Sequence, residues 1–139
     1  PQCKVISFEN GLKNLIPGEI CYCVMARSDT NEGGRLIAAS VGLAIPKDDN
    51  NWGYLSEVHG YGMNQQEAGD MAEDLAAGML GTTLGLEVDP NQDWSEKEQV
   101  YKSSGMIIRT SNVTQTARGQ SDVWTTVVAI AMFLFDQTT

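Results

Sequence analysis

The run Arg35 to Ile45, RLIAASVGLAI, leaves this chain fewer folding options than any other stretch. It is β-rich and unbroken by turn chemistry, and side chains alternate between two faces along a strand, so both of its faces are apolar or small. A strand buried on two sides needs cover from another layer or from another subunit. Pro46 closes it, and the polar stretch Lys47 to Trp52, KDDNNW, reads as a turn.

The same rules organise the rest. A short extended start around Val5 and Ile6 and a Pro17-Gly18 turn precede Glu19 to Arg27, where Ile20, Tyr22, Val24 and Ala26 alternate as in a strand. Ser28 to Gly34, SDTNEGG, is loop chemistry, so this strand and the Arg35 to Ile45 strand are expected to form a hairpin. Gly53 to Val58 reads as a third short strand. Asn64 opens a helix. Glu67 stands three residues on, as in a capping box, and Ala68, Met71, Ala72, Leu75, Ala76 and Met79 follow at helical spacing until the glycines of Gly78 to Gly85. Pro90 to Gly105 is polar with little sign of a core-facing stripe and reads as a surface insertion with room for one helical turn. Met106 to Thr116 and Val123 to Phe135 are rich in β-branched and aromatic residues and form the last two strands, with Ala117 to Asp122 as the turn between them. Strands before and after one long helix imply an α+β fold, antiparallel sheets with a packed helix in an αββα-type sandwich, as one domain over residues 1–139.

At 139 residues with 42% apolar content, the chain can bury a single core without disulfides or metal. Its longest apolar stretch, Val127 to Phe135, is too short to span a bilayer, and Pro1-Gln2-Cys3-Lys4 lacks the basic and apolar regions of a secretory signal. Cys3, Cys21 and Cys23 are odd in number, and the single histidine, His59, leaves a zinc cluster short of ligands. The cysteines therefore read as small buried hydrophobes of a reducing, cytoplasmic compartment. Eighteen acidic against nine basic residues give a formal charge of -9, which disfavours nucleic acid and anionic membranes as partners and favours a cationic small molecule. No glycine-rich phosphate loop opens a helix, because Gly78 to Gly85 lies at a helix end. A Ser-His-Asp arrangement would need His59, which beside Gly60, Tyr61 and Gly62 reads instead as a surface histidine near a turn.

The run Ile37-Ala38-Ala39-Ser40-Val41-Gly42-Leu43-Ala44-Ile45-Pro46-Lys47-Asp48, followed by Gly53 and Glu57, resembles the pyruvoyl-dependent arginine decarboxylases. In that family a small-residue strand ends in an Ile-Pro-Lys-Asp turn and the next strand carries a glutamate in the same register. The helix with its Glu67-Ala68 and Met71-Ala72 pairs is also similar. The family's processing site is a serine, two apolar residues and a Pro-Pro pair, and Pro1 matches the second proline. On that resemblance the serine that becomes the pyruvoyl group lies a few residues upstream of Pro1. The resemblance covers residues 1–89 well and 106–135 loosely, while Pro90 to Gly105 departs from it.

The resemblance implies conversion of L-arginine to agmatine and carbon dioxide through a Schiff base with a covalent, self-generated pyruvoyl group. It also implies a short amino-terminal chain from the same precursor and a homotrimer of two-chain protomers with the site between neighbours. Glu57 is then the acid that protonates the α-carbon once carbon dioxide has left. That role demands a carboxyl kept neutral by burial or by a nearby like charge, with Leu55 and Val58 as candidate apolar neighbours for the first. Without the resemblance Glu57 would read as an exposed acid at a strand end. Leu55 lies two residues before it on the same face, placed either to pack on the substrate's methylene chain or to join the core. Lys47 and Asp48 read as turn residues, and no spacing chooses between Arg109 and Arg118 as a carboxylate partner. Two other readings stay open: a pyruvoyl-dependent decarboxylase of another amino acid, because the family's guanidinium-gripping residues come largely from the amino-terminal chain, and a non-catalytic trimeric binding or scaffold domain of this fold.

Overall fold

The computed structural model of the chain describes residue 6 and residues 8–47, 52–95, 98 and 100–134. In chain order the elements are α1 (Phe8–Leu12), β1 (Tyr22–Thr30), β2 (Leu36–Pro46), β3 (Tyr54–Tyr61), α2 (Gln65–Thr83), α3 (Pro90–Asp93), β4 (Trp94–Ser95), β5 (Val100–Ser103), β6 (Met106–Arg118) and β7 (Thr125–Phe133). One sheet runs β3-β2-β6-β5-β4 and the other pairs β1 with β7, all antiparallel. The α+β architecture and the antiparallel sheets are as expected. Pro1, Cys3, Val5, Asp48 and Phe135 lie outside the described residues.

The alanine-rich strand is the centre of the molecule. Ala38, Ser40, Gly42 and Ala44 of β2 point to the α2 side, while Ile37, Ala39 and Val41 point toward β1 and β7, and all seven are buried. Cover on both sides therefore comes from this chain itself. On the sandwich side the core joins Ala26, Ile37, Ala39, Val41, Val127 and Ala129, with Leu55 packed at its margin. On the helix side it joins Ala44, Ala76, Ala77, Leu80, Tyr101 and Ile108. Small residues let α2 lie almost on the sheet. A β-carbon added at Gly42 would stand 2.1 Å from the carbonyl oxygen of Ala72, so nothing larger than glycine fits without moving the helix. The Ser56 hydroxyl reaches the same carbonyl at 2.5 Å.

The start of α2 is secured as its sequence suggests. The Asn64 side chain accepts from the Glu67 N–H at 2.9 Å, and the Glu67 carboxylate accepts from the Asn64 N–H at 2.8 Å. This reciprocal pair satisfies two of the donors that a helix start leaves open.

Three expectations are corrected. The strands flanking Ser28 to Gly34 do not form a hairpin, because β1 pairs with β7 and lies face to face with β2 across the core. β1 also runs through Thr30. The pleat turns Ser28 and Thr30 inward, where both are buried and the Ser28 hydroxyl donates to the Ala38 carbonyl at 2.7 Å. The chain crosses between sheets at residues 31–35, beside the β6 to β7 crossing, and Gly34 and Gly119 clamp the two connections with hydrogen bonds of 2.8 and 2.7 Å. Second, Pro90 to Gly105 holds the expected helical turn as α3 but also adds β4 and β5 to the large sheet and buries Val100 and Tyr101. Tyr101 carries an apolar body into the core while its hydroxyl donates to Asp74, so a polar-looking segment contributes buried surface. Third, the cysteines are not all buried: Cys21 is half-buried and Cys23 exposed, where β1 begins at the rim of the sandwich. Among the described residues no helix is long and apolar enough to cross a membrane.

Candidate active site

Alternation along β3 sorts its residues into two sets. Ser56, Val58 and Gly60 are buried on the α2 side, and Leu55, Glu57, His59 and Tyr61 share the opposite face. Glu57 stands across from Val41 of β2, Leu55 across from Leu43 and His59 across from Ala39. Leu55 is half-buried against the sandwich core. Glu57 keeps 41% of its side chain open and His59 keeps 49%. The shared face of Leu55 and Glu57 is as expected. Val58 is not a neighbour of the Glu57 carboxyl, since the pleat sends it to the other side of the sheet, where it is buried.

His59 is exposed, as expected, and lies inside β3, which runs on through Tyr61 before the chain bends at Gly62. Its Nε2 is 3.5 Å from Glu57 Oε2. Its Nδ1 meets the backbone of Arg27 in β1, 2.8 Å from the carbonyl oxygen and 3.2 Å from the amide nitrogen. That contact is available because β1 pairs only with β7 among the described strands, leaving the backbone groups of its other edge open. One turn of the pleat further, the Tyr61 hydroxyl donates to the Asp29 carbonyl at 3.4 Å and the Arg35 guanidinium lies 4.8 Å from the Tyr61 ring centre. The Arg27 guanidinium is engaged by Asp29 at 2.9 Å. A hydrogen bond from Thr126, then those from Arg27, hold the Asp29 carboxyl below the usual carboxylate range.

The other candidates lie apart from this face. Lys47 is exposed just past β2, with its N–H on the Ile107 carbonyl at 2.8 Å, and Asp48 is outside the described residues. Arg118 donates to the Gly34 carbonyl at 2.8 Å and so secures a connection, while Arg109 pairs with Ile45 near the far end of β2. An open depression of about 890 Å³, lined by Tyr54, Met71, Leu75 and Met79 among others, lies on the α2 side of the sheet, across β3 from Glu57. The sequence weighs His59 only for a Ser-His-Asp arrangement, and the one signal placing it beside Glu57 is spacing: residues 55, 57 and 59 fall on one side of any strand that contains them.

A carboxyl group, an imidazole and an apolar side chain thus share one half-open ledge, a set able to shelter a carbon chain and to move a proton. Residues 1–138 match the family model described as pyruvoyl-dependent arginine decarboxylase. A protein of Chlorobium limicola named "Probable pyruvoyl-dependent arginine decarboxylase" is 58% identical over 134 residues, covering 96% of this chain and 74% of that protein. One of Chloroherpeton thalassium with the same name is 56% identical over 135 residues, with the same coverage. A protein of Methanosarcina mazei named "Pyruvoyl-dependent arginine decarboxylase 2" is 51% identical over 135 residues, again covering 96% and 74%. The chain belongs to the pyruvoyl-dependent arginine decarboxylase family, whose members are lyases carrying a covalent pyruvoyl group.

Proposed function

We propose that this chain, together with a short amino-terminal chain cut from the same precursor, removes the carboxylate of L-arginine to give agmatine, a precursor for polyamine biosynthesis, with Glu57 as the proton donor. The pyruvoyl group, made from a serine upstream of Pro1, supplies when bound a carbonyl that draws off the electron pair left on the α-carbon. The Leu55 and Glu57 ledge fits such a group, because it offers an apolar side chain for the substrate's methylenes and a carboxyl for its α-carbon two residues apart on one face. The observation that carries the reading is that shared face, half-open beside the free edge of β1.

Glu57 holds the proton on a carboxyl oxygen and gives it to the α-carbon after carbon dioxide departs, restoring a C–H bond and leaving a carboxylate. A carboxyl stays neutral near pH 7 where burial or a nearby like charge raises its pKa, and burial means cover from water. With 41% of Glu57 open, this chain alone does not supply that cover. The amino-terminal chain and a neighbouring protomer of a trimer are the partners proposed to close the ledge. The cytoplasm is the proposed compartment, and the -9 charge favours the cationic substrate.

The test is Glu57→Gln in the processed two-chain protein, with processing checked by intact mass. The expected result is normal cleavage, little change in KM for arginine and a fall in kcat of about 10² to 10⁴-fold, the usual contribution of a positioned acid. Turnover at the wild-type rate would remove Glu57 from the role.

A further inference from the structure

His59 is the only histidine of the chain, and its ring spans two groups of different kinds. One nitrogen faces the carboxyl proposed as the acid. The other faces a backbone that can both accept and donate. With Nδ1 protonated, the ring donates to the Arg27 carbonyl at 2.8 Å and presents a bare Nε2 to Glu57. With Nδ1 bare, the ring accepts from the Arg27 N–H at 3.2 Å and presents an N–H to Glu57. Arg27 therefore holds the ring in place in either tautomer, since the tautomer is set by the partner of the second nitrogen.

From this geometry we infer that His59 is a positioning residue for Glu57 and the route by which Glu57 recovers its proton between turnovers. The inference rests on the reading of Glu57 as the acid. The proton balance closes. Loss of carbon dioxide leaves the bonding pair on the α-carbon; the Glu57 O–H breaks and a C–H forms. His59 then acts as imidazolium, with its Nδ1–H on the Arg27 carbonyl: its Nε2–H breaks, the Glu57 O–H is restored and a neutral ring is left. Water reprotonates the imidazole, whose side chain is 49% open, so one solvent proton is consumed for each carbon dioxide released. Imidazole suits the step because its charge state changes between about pH 5 and 8, where a proton can be both taken up and passed on. Among the described residues, the charged and titratable groups around the ring are few. β3 contributes Glu57 and Tyr61, β1 contributes Arg27 and Asp29, which neutralise each other at 2.9 Å, and Arg35, stacked on Tyr61, is tied to Glu32 at 2.6 Å. The residues of β2 facing this side, Ile37, Ala39, Val41 and Leu43, carry no charge.

The experiment uses the processed two-chain protein with His59→Ala and His59→Asn. Asparagine keeps an amide near the position of Nδ1, within reach of Arg27, but nothing at the position of Nε2. Both variants should keep their thermal midpoint and the KM for arginine while kcat falls about tenfold, less than the 10² to 10⁴-fold expected for the acid itself. The alkaline limb of the kcat profile should lose its dependence on an imidazole, and added free imidazole should restore part of the activity of His59→Ala. A readout independent of turnover is the ¹⁵N signal of the ring, identified as the one missing from His59→Ala. Proton occupancy at Nε2 should change when Glu57 is replaced by glutamine. Wild-type kcat and pH profile in both histidine variants, with no response to imidazole, would overturn the inference and leave Glu57 as the acid if Glu57→Gln is still inactive. A ring signal indifferent to Glu57→Gln would also overturn it. Full turnover by Glu57→Gln would instead remove the acid assignment, and proton return to Glu57 with it.

Discussion

Three donors converge on one oxygen of Asp29: the Thr126 hydroxyl at 2.7 Å and two guanidinium nitrogens of Arg27 at 3.0 and 2.9 Å. They favour the charged carboxylate, with Thr126 the larger influence, so the folded state holds this carboxyl below its unfolded value of about 3.9. The sign follows from proton linkage. The stabilisation is fully present above the unfolded value and is lost as pH falls through the folded one, because only the unfolded chain binds the proton in between. Asp29→Asn should therefore lower the thermal midpoint at pH 7, by a gap that narrows as pH falls below about 3.9, read from melting curves across the acid range. A gap that persists undiminished at the acid end would assign the effect to packing. At this scale the sequence was legible where alternation alone decides an outcome, as for Leu55 and Glu57. Val58, adjacent to Glu57 along the chain, falls on the opposite face by the same alternation, and the strand runs on past His59 because Gly60, a residue that suggests a turn, is buried within β3 against Met63 and Ala38.

Among the elements, α2 was readable because everything that starts it is local: an Asn at the cap, a Glu three residues on and a stripe of small residues. Its capping box gives a direct check. Asn64→Ala removes the acceptor for the Glu67 N–H and should cost about 1 kcal/mol, the usual value of such a cap, seen as a lower urea midpoint with unchanged slope. A cost near zero would mean that packing of Ala68, Ala72 and Ala76 fixes the helix start unaided. The strands were harder, because a period of two identifies a strand without saying which sheet it joins. β1 and β2 are consecutive, apolar on facing sides and separated by turn residues, which is the pattern of a hairpin and equally of two layers stacked face to face. What decides between them here is the inward set Ala26, Ser28 and Thr30, too small to need wide spacing and, in Ser28, bonded straight to the opposing sheet. β5 was missed for a different reason: the buried hydroxyl of Tyr101 is satisfied by Asp74 on α2, a partner far away in sequence. Burial first and that bond second raise the phenol well above its ordinary range, so it serves as a fixed donor tying the helix to the sheet.

The fold removes one reason to expect assembly and supplies another. The alanine-rich strand calls for cover from another layer or another subunit, and α2 and the β1/β7 sheet supply it from within. The proposed trimer draws its support from the open ledge instead. Leu55 is only half-buried and Glu57 and His59 are both more than two-fifths open, while a carboxyl that works as an acid at neutral pH needs to be kept from water. If neighbouring protomers provide that cover, activity and assembly are one equilibrium. Dilution of the processed protein should then lower the turnover per site in step with the fall in mass from three two-chain protomers toward one, measured by sedimentation and by initial rates on the same samples. A stable monomer at micromolar concentration with full activity would show that the amino-terminal chain closes the ledge alone, and activity lost on dilution while the three large chains stay together, with only the mass of the short chains missing, would place the dependence in release of that short chain instead.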